Sequence, residues 1–426
     1  MIGRTPLPLV TYRAAARALV PVARLILHAR ARAGKEDRAR LGERLGRTTL
    51  ARPTGELVWI HGASVGECLS VLPLVDNLLL VPHRSVLVTS GTVTSAKLMR
   101  ERLPERAFHQ FVPVDTPSGA ERFLEHWKPQ AGLFVDSELW PNLISSAHMH
   151  GLKLALINGR MSAGAYAGWR RAPKTARHLL SGFDICLAQD DLSAERFRLL
   201  GAKDVRVTGN LKADAPPPAA DTSKLTELAD AIGERPVLLA ASTHPGEDET
   251  ILPAHDTLRR TFPQLLTIIV PRHPARGAEI AMLCGARNFA RRSEKQLPSG
   301  QTAVYVADTI GELPTFYRLA PFAFMGGSLV PHGGQNPLEA AKLERAVMAG
   351  PHTENFAGIY ETIFAAQSEG RVHGSSEIVA LASRWLGDPA SARKAGTAAA
   401  EGAAALGGAL EKTRAVIEAM LGHASA

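Results

Sequence analysis

The stretch ELVWIHGASVGE, residues 56–67, decides the fold that we predict for this chain. Its first six residues are an apolar run of strand length, and the residues after them form a glycine-containing turn that leads into a helical pattern. A strand followed by a turn and a helix is the opening of a βαβ unit. Ser64 and Glu67 have the spacing of a capping box, which predicts a helix that begins at Val65.

Apolar runs of strand length recur along the rest of the chain, and each is followed by polar turn residues and a longer helical pattern. These runs lie at residues 85–90, 131–137, 152–159, 184–189 and 204–210 in the first half, and at 236–242, 265–273, 303–308, 321–328 and 345–350 in the second. The alternation predicts an α/β protein with two Rossmann-like halves, each a doubly wound parallel sheet, that face one another across a cleft. In such sheets ligands bind beyond the carboxyl ends of the strands, so the functional residues are expected in the loops that follow them.

Three successive prolines, Pro216–Pro218, separate the two halves. Because proline continues neither a helix nor a central strand, the segment around them is predicted to be an interdomain linker. The Ala-rich tail is predicted to form helices that close the second half. The resulting division is a basic segment at 1–47, an N-terminal domain at 48–212, a linker at 213–235 and a C-terminal domain at 236–426.

The 426 residues are 45% hydrophobic and 21% charged, which is ordinary for a globular protein. Only three cysteines occur, without metal-ligand spacing, so neither a disulfide framework nor a zinc site is expected. The net charge of +8 is confined to residues 1–50, which carry 11 Lys and Arg against 3 Asp and Glu. A nucleic-acid binder would spread its basic residues through the folded domains, so no nucleic-acid partner is predicted.

Residues 7–29 form an apolar segment whose basic residues share one helical face. At 100° per residue these side chains fall within an arc of about 60°; they are Arg13, Arg17, Arg24 and His28. Burying guanidiniums in hydrocarbon costs roughly 2.5–3.5 kcal/mol each on insertion scales, so we predict a segment that lies on the membrane, kinked at Pro21. Arg30–Arg47 would then meet the lipid headgroups on the cytoplasmic side. The alternative is an amphipathic helix packed against its own domain.

Two loops of the first half carry carboxylates. Capping alone explains Glu67, but the same residue suits a general base at a ligand site, because a helix N-terminus stabilises its ionised form. In the loop DSELWPN, Asp136 and Glu138 follow a strand beside Trp140, and paired carboxylates suit the recognition of sugar hydroxyls. The alternative for this loop is that Trp140 packs, Pro141 begins a helix and Glu138 is merely solvated.

Two loops of the second half suit a phosphate group. Arg272 and His273 stand between two prolines after a strongly apolar strand, where a rigid cationic pair suits a phosphate. Further along, a glycine-rich loop leads into a helix with Asn336 as the predicted N-cap and Pro337 at the first position. The N–H groups of that helix start would serve an anion or a ribose, whereas capping explains Asn336 without any function. Together the two halves describe a nucleotide-sugar enzyme at a membrane surface.

Several long motifs resemble one family, the 3-deoxy-D-manno-octulosonic acid (Kdo) transferases of Gram-negative bacteria, glycosyltransferase family 30. Between residues 59 and 356 they read WIHGASVGE, SELWPN, INGRMS, GNLKAD, ASTHPGEDE, PRHPAR, GEL, FMGGSLVPHGGQNPLE and GPHTENF. The resemblance implies a GT-B fold, with an acceptor domain at 48–212 and a CMP-sugar-binding domain at 236–426. It also implies transfer of Kdo from CMP-Kdo to the glucosamine disaccharide of the lipid A precursor (lipid IVA), in lipopolysaccharide core biosynthesis, with no cofactor and no required metal.

The same resemblance implies roles for particular residues. Glu67 would be the general base that takes the proton from a glucosamine hydroxyl of the acceptor, while Glu138 and Lys212 would stabilise the transition state. The residues implied for the CMP site are Arg272, His273, Ile310, Gly311, Glu312, Asn336, Pro337, Leu338 and Glu339. The implied partners are CMP-Kdo, the lipid A precursor and the cytoplasmic surface of the cell inner membrane, to which the chain would bind peripherally or through an N-terminal anchor.

Two positions depart from the family pattern. Gln335 stands where the family usually has histidine, which puts a titrating role of that position in doubt, and Gly159 stands where alanine is usual. One rival interpretation is a different GT-B nucleotide-sugar enzyme, a UDP-sugar transferase or epimerase, which would bind UDP and need no lipid acceptor. Another is a catalytically inactive membrane-surface module, against which the presence of Glu67, Glu138 and Lys212 argues.

Overall fold

Two compact units make up the structure, a computed structural model that describes residues 5–422. The first unit consists of Met1–Ala215 together with Gly407–Ala426, and the second unit is Pro216–Leu406. Each unit is built around one parallel sheet. The α/β class and the two parallel sheets predicted from the alternation of apolar runs are thereby confirmed.

The first unit surrounds a seven-stranded parallel sheet with helices. Its strands are β1 (Glu56–His61), β2 (Arg84–Ser90), β3 (Ala107–Phe111), β4 (Ala131–Val135), β5 (Lys153–Gly159), β6 (Ile185–Ala188) and β7 (Val205–Val207). Its helices before the second unit are α1 (Leu7–Ala18), α2 (Val20–Arg32), α3 (Val65–Ser70), α4 (Leu72–Leu78), α5 (Val93–Arg102), α6 (Pro117–Trp127), α7 (Pro141–Met149), α8 (Ala163–Trp169), α9 (Pro173–Leu180), α10 (Asp191–Leu200) and α11 (Leu211–Asp214), with 3-10 turns at Arg38–Arg40 and Glu43–Leu45.

The strands of this sheet lie in the order β3-β2-β1-β4-β5-β6-β7. The order reverses between β1 and β4, so the loops after these two strands border the topological switch point, where open α/β sheets bind their ligands. Both faces of the sheet are covered. Along β1, Trp59 enters the core on one face and Ile60 enters the core on the other, because successive side chains of a strand point in opposite directions. Burial on both faces explains the continuous apolar run of this strand.

The second unit repeats the plan with a six-stranded parallel sheet in the order β10-β11-β9-β8-β12-β13. The strands are β8 (Val237–Thr243), β9 (Leu266–Pro271), β10 (Phe289–Arg291), β11 (Val304–Val306), β12 (Phe322–Met325) and β13 (Ala346–Ala349). The helices are α12 (Thr222–Ile232), α13 (Asp248–Thr261), α14 (Gly277–Leu283), α15 (Leu313–Leu319), α16 (Leu338–Lys342), α17 (Ala357–Gln367), α18 (Ser375–Gly387) and α19 (Pro389–Ala405), with 3-10 turns at Pro274–Arg276, Arg292–Glu294 and Glu354–Phe356. Here the strand order reverses between β8 and β12.

Two strands, β3 and β10, were not predicted. The sequence of β3 is AFHQF, and its two polar residues interrupt the apolar run by which a buried strand is recognised. Both polar residues are nevertheless buried and have hydrogen-bond partners. His109 Nε2 lies 2.8 Å from Ser90 Oγ, and the Gln110 side chain accepts a hydrogen bond from the Trp127 indole at 2.7 Å. A strand can therefore carry polar residues into a core when each finds a hydrogen-bond partner. β10 has only three residues, too few for a recognisable run.

The last helix, α20 (Ala409–Leu421), corrects the predicted C-terminal domain, because it belongs to the first unit. Its Glu418 carboxylate forms two hydrogen bonds, at 2.5 and 2.9 Å, to the guanidinium of Arg84, which is completely buried. At the other end of α20, the Asp214 carboxylate accepts hydrogen bonds from the N–H groups of Gly408 and Leu410. The prediction assigned the C-terminal helices by their order in the chain, and chain order does not show that α20 packs on the first unit.

The predicted linker at 213–235 also needs correction. It contains α12, which buries Leu228 and Ile232 within the second unit and packs on α15. The boundary between the units falls instead at Ala215 and Pro216, at the start of the proline run. The prolines were therefore a correct signal of a boundary, but the segment after them folds with the second unit.

The N-terminal segment forms two helices that meet at Leu19, with Pro21 in the first turn of α2, as the predicted kink requires. A few of its apolar residues are buried against the first unit, namely Leu9, Leu27 and Ala31. Other apolar side chains are more than half exposed; these are Leu7, Leu19, Leu25 and Ile26. Within residues 5–422 no helix combines the length and the apolar character needed to cross a bilayer.

Part of the basic stretch Arg30–Arg47 differs from the prediction that it faces lipid headgroups. Arg40 pairs with Glu43 at 2.8 Å and donates to the carbonyl of His109 at 2.9 Å. Arg44 donates to a backbone carbonyl beyond β3 and lies 3.5 Å from the carboxylate of Glu36. These two guanidiniums hold the segment to the edge of the sheet, so they do not contribute to a free basic surface.

Candidate active site

The first cluster of predicted residues lies at the switch point of the first sheet, in the loops after β1 and β4. Glu67 follows β1 on α3, and Glu138 follows β4 in the loop before α7. Because β1 and β4 pair directly, with His61 opposite Phe134, their following loops are neighbours. The strand order therefore brings together two carboxylates that are 71 positions apart in the chain.

Glu67 sits in the first turn of α3, which begins at Val65 as the capping box predicted. Ser64 is the N-cap, and its Oγ accepts the N–H of Glu67 at 3.3 Å. The Glu67 carboxylate accepts hydrogen bonds from the Ser64 hydroxyl at 2.5 Å and from the Ala63 N–H at 2.8 Å. These contacts fix the carboxylate at the helix start while leaving it partly exposed, so capping and a chemical role are compatible.

Glu138 is half-buried and is not merely solvated. Its carboxylate accepts a hydrogen bond from the Trp140 indole N–H at 2.5 Å, and Trp140 packs edge-on against His61 with ring centroids 5.3 Å apart. Burial raises the pKa of Glu138, and the nearby Glu67 carboxylate raises it further, against the opposing effect of the Trp140 hydrogen bond. Pro141 begins α7, as predicted.

Asp136 belongs to the same cluster. It is the residue after β4, half-buried, with a φ of 63°, a conformation that is uncommon for a residue with a side chain. The pKa of Asp136 is raised to about 6, mainly by burial and also by the Glu67 and Glu138 carboxylates, while the cations Lys212 and Arg160 oppose the rise. The sequence motif contained this residue, but only the structure shows its coupling to Glu67.

Lys212 reaches this cluster from α11, near Gly66; a Cβ built on Gly66 would lie 3.9 Å from the lysine Nζ. Its position is set by three side-chain amides. Asn210 caps α11 by accepting the Lys212 N–H at 3.0 Å, and Asn158 accepts the Leu211 N–H at 2.9 Å. Gln189 bridges the two asparagines, donating to the Asn158 carbonyl and accepting from Asn210. The motifs INGRMS and GNLKAD thus act together to place one ammonium group.

The first unit therefore brings Glu67, Glu138 and Lys212 together, with Asp136 and Arg160 beside them. Three carboxylates and two cations around one switch point can accept a proton from a hydroxyl and stabilise positive charge on a sugar ring. Burial is the main cause of the raised pKa values of Asp136 and Glu138, and repulsion from the Glu67 carboxylate adds to it. Raised pKa values of this kind are frequent at functional sites.

The second cluster lies at the carboxyl edge of the second sheet. Arg272 and His273 follow β9, and both side chains are exposed. The Arg272 N–H donates to the Thr243 carbonyl at 3.0 Å, which ties this loop to the end of β8. Arg272 and His273 thus stand beside the end of β8, one of the two strands at the switch point of this sheet.

An imidazole cluster, which the sequence prediction missed, adjoins this pair. The ring of His244, after β8, lies 4.1 Å from the ring of His332 and 6.2 Å from that of His273, between centroids. Gln335 Nε2 lies 3.1 Å from His244 Nε2. The pKa of His244 is lowered to about 4, mainly by burial and also by the neighbouring side chains, among them Arg272 and Arg276. The available signal was the polar motif ASTHPGEDE directly after a strand.

The turn Ile310–Glu312 divides into an exposed part and a buried part. Ile310 is largely exposed, and Gly311 has a φ of 86° that suits glycine. The Glu312 carboxylate is buried and is held by Arg292 at 2.9 Å and by Lys224 at 3.0 Å. Burial alone would raise its pKa, but these hydrogen bonds lower it to about 2. Glu312 therefore anchors the turn, and the backbone of the exposed part is what a ligand could contact.

The helix predicted to start at Asn336 begins one residue later than expected. α16 spans Leu338–Lys342 with Pro337 at the cap position, although Asn336 Oδ1 does accept the Leu338 N–H at 3.1 Å. Glu339 is exposed on its first turn. All the residues implied for the nucleotide site thus follow β9, β11 or β12 and lie at one edge of the second sheet. Among the described residues, no three or more His, Cys, Asp or Glu side chains form a group that could hold a metal ion.

Comparison with known proteins agrees with these motifs. The family model described as 3-deoxy-D-manno-octulosonic-acid transferase (kdotransferase) matches residues 39–215. The 3-deoxy-D-manno-octulosonic acid transferase of Bordetella pertussis is 35% identical over 428 residues, covering 96% of this chain and 99% of the relative. The enzyme of the same description from Haemophilus influenzae is 34% identical over 351 residues, covering 80% of this chain and 81% of the relative.

Solved structures agree on the fold. The crystal structure of UDP-GlcNAc 2-epimerase from Neisseria meningitidis bound to UDP-GlcNAc superposes with a TM-score of 0.58 at 14% sequence identity, covering 86% of this chain and 99% of that one. At this identity the likeness concerns the fold alone, and it supports the GT-B class expected for the chain.

Proposed function

The chain belongs to the 3-deoxy-D-manno-octulosonic acid (Kdo) transferase family and is a glycosyltransferase, and from this premise we propose that it transfers Kdo from CMP-Kdo to a glucosamine hydroxyl of the lipid A precursor. The observation that carries the proposal is the convergence of Glu67, Asp136, Glu138 and Lys212 at the switch point of the first sheet. Burial of several carboxylates close together destabilises the folded protein, so such a cluster is not expected in a catalytically inactive module.

In the proposed reaction Glu67 is the general base. The acceptor hydroxyl attacks the anomeric carbon of Kdo, the bond from that carbon to the CMP phosphate oxygen breaks, and the hydroxyl proton passes to the Glu67 carboxylate. Fixation of this carboxylate by Ser64 and Ala63 holds it ready without reorganisation. Glu138 stabilises the positive charge that develops on the sugar ring, and Lys212 balances the surrounding carboxylates.

The donor site is proposed at the edge of the second sheet. Arg272 and His273 would meet the phosphate of CMP, since an arginine offers a planar, bidentate arrangement of donors to phosphate oxygens. The exposed Ile310–Gly311 backbone and the start of α16, from Asn336 to Glu339, would bind the rest of the nucleotide. We propose that these side chains offset the charge of the leaving group without a metal ion or cofactor.

Membrane attachment is proposed for α1 and α2. Their exposed apolar residues, such as Leu25 and Ile26, would enter the interface, and Arg17 and Arg24 would meet anionic headgroups. The proposed location is the cytoplasmic surface of the cell inner membrane, where an anionic glycolipid acceptor would be found. Deleting residues 1–32 is then expected to abolish sedimentation with membranes at low salt.

The test is transfer of Kdo from CMP-Kdo to tetraacylated lipid A precursor in detergent, with products weighed by mass spectrometry. The wild type is expected to add Kdo, and the product mass counts the sugars added. Glu67→Gln and Glu67→Ala are both expected to lose more than 100-fold in kcat while still binding CMP, in line with the usual contribution of a general base of about 10²–10⁴. Asp76→Asn, an exposed carboxylate on α4, is the control.

Each alternative outcome has a definite meaning. If Glu67→Gln keeps near-normal turnover, Glu67 is only a helix cap, because glutamine keeps one acceptor oxygen for a capping hydrogen bond but cannot act as a base at neutral pH. If the wild type binds UDP in preference to CMP and transfers no Kdo, the proposed substrate is wrong.

A further inference from the structure

Glu247 is a buried carboxylate that the proposed reaction does not use. It stands between β8 and α13, and its side chain is completely shielded from solvent. Its Oε2 accepts the N–H groups of His244 at 2.9 Å and Gly327 at 2.6 Å. Its Oε1 accepts those of Ser328 at 2.9 Å and Leu329 at 3.0 Å. One carboxylate thus accepts hydrogen bonds from four backbone N–H groups that belong to two loops.

These two loops follow β8 and β12, the strands that flank the switch point of the second sheet. The loop after β12 also packs closely against the end of β8, because a Cβ built on Gly326 would clash with the carbonyl oxygen of Ser242 in that strand. The loop after β12 then folds back on itself, with Gly327 accepting the N–H of Gly334 and Gly326 accepting that of Gln335. Glu247 therefore fixes both the backbone that carries His244 and the loop that returns to Gln335.

This arrangement changes which groups are left to bind a phosphate. A glycine-rich loop whose backbone N–H groups converge is a familiar anion site, yet here the anion at three of those N–H groups is the protein's own carboxylate. At the same edge the side chains of Arg272, His273 and His332 are exposed, and the buried ring of His244 lies beside two of them. These side chains are then the groups left to bind a phosphate.

We propose that Glu247 is a positioning residue of the donor site, which acts by holding His244 and the 326–329 loop in the arrangement that binds the phosphate of the nucleotide sugar. The proposal rests on the proposed function, since it deepens the account of that donor site. Glu247 does not touch the donor; it acts through the backbone of the two loops.

The chemistry of the contact predicts an unusual order among variants. Each carboxylate oxygen accepts two N–H groups, so glutamine, although nearly the same size, would turn an NH₂ group toward two donors. Aspartate keeps both acceptor oxygens but is one methylene shorter. Glu247→Gln should therefore harm the site more than Glu247→Asp does. If only side-chain volume mattered, the order would be reversed.

The experiment measures CMP affinity by calorimetry, and the KM values for CMP-Kdo and for the lipid acceptor, on the full chain in detergent. Glu247→Gln is expected to raise the Kd for CMP and the donor KM at least tenfold, with the acceptor KM unchanged, and Glu247→Asp to raise them less. The control is Glu249→Gln, because Glu249 also accepts a backbone N–H of this loop, from Gly246 at 3.0 Å, but is exposed. A general folding defect would lower the active fraction and leave both KM values in place.

A folded Glu247→Gln protein whose CMP Kd and donor KM stay within twofold of the wild type overturns the proposal. If the glutamine variant does not fold, Glu247→Asp decides, because an unchanged CMP Kd in that variant also overturns it. Titrating the wild type with UDP in parallel distinguishes a wrong substrate from a wrong role of Glu247. A wild type that binds UDP and not CMP refutes the proposed substrate, and the role of Glu247 is then judged from the UDP affinities of the same variants.

Discussion

Replacing Asp136 by asparagine should stabilise the protein near neutral pH, and the gain should grow with pH. The pKa of Asp136 is raised from 3.8 to about 6, first by burial and then by the Glu67 and Glu138 carboxylates. A raised pKa means that the folded protein binds the proton more tightly than the unfolded chain does. The folded state therefore loses stability as Asp136 ionises, and asparagine removes that loss.

The magnitude follows from proton linkage. With a pKa of 3.8 in the unfolded chain and about 6 in the folded protein, ionisation of Asp136 costs about 1 kcal/mol at pH 4.5 and about 3 kcal/mol at pH 7.5. The free energy of unfolding of Asp136→Asn, compared with the wild type, should thus rise by about 2 kcal/mol between these two pH values. Because Asp136 is only half-buried, solvent partly screens its charge, and the difference of about 2 kcal/mol is therefore an upper bound.

The assay is urea unfolding followed by tryptophan fluorescence at pH 4.5 and 7.5. Four of the five tryptophans lie in the first unit, so the signal mainly reports the unit that contains Asp136. Asp76→Asn, which removes an exposed carboxyl group on α4, serves as the control. A difference between Asp136→Asn and the wild type that stays constant or shrinks as the pH rises would refute the assignment of Asp136 to a repulsive carboxylate cluster.

Three further predictions address the fold and the membrane surface. Glu418→Ala should lower the free energy of unfolding by about 3 kcal/mol in urea titrations, because it leaves the buried Arg84 short of a partner; a loss below about 1 kcal/mol would show that α20 is not held by this pair. Gly326→Ala should cost about 1–3 kcal/mol in the same assay and weaken CMP binding, since its Cβ would meet backbone; unchanged stability would contradict the loop contact. Leu25→Glu and Ile26→Glu should each reduce binding to anionic vesicles at least tenfold, as burial of one such side chain contributes roughly 1.5–3 kcal/mol. Equal sedimentation of variants and wild type would exclude this face as the membrane contact.

Local signals in the sequence located most of the elements correctly. The apolar run at 56–61 became β1, Ser64 capped α3, and Pro21 separated α1 from α2, because each of these features depends on neighbours within a few residues. The strands that were missed, β3 and β10, lack that local signal. In β3 the polar residues are satisfied by Ser90 and Trp127, which are distant in sequence.

The candidate catalytic residues were predicted on a different basis. The family resemblance of WIHGASVGE, SELWPN and GNLKAD singled out Glu67, Glu138 and Lys212, whereas spacing alone left Glu67 as either a cap or a base. The structure shows that the cap exists and that all three residues meet. Asp136 was named beside Glu138 as one of two carboxylates that suit sugar hydroxyls, but its coupling to Glu67 was not predicted. His244 was not singled out, because its distinguishing property is an electrostatic environment built by other loops.

The sequence by itself determined the α/β class, the proline boundary between the units and the family. Each of these follows from local patterns of apolar, turn and capping residues or from long contiguous motifs. Only the tertiary structure decided the strand order that joins the loops after β1 and β4, the return of α20 to Arg84, and the capture of four backbone N–H groups by Glu247. An apolar run shows that a strand is buried, but it does not state which strand lies beside it. Which strands become neighbours depends on packing between residues far apart in the chain. In this protein that strand order brings together the residues of the carboxylate cluster in the first unit and of the proposed donor site in the second.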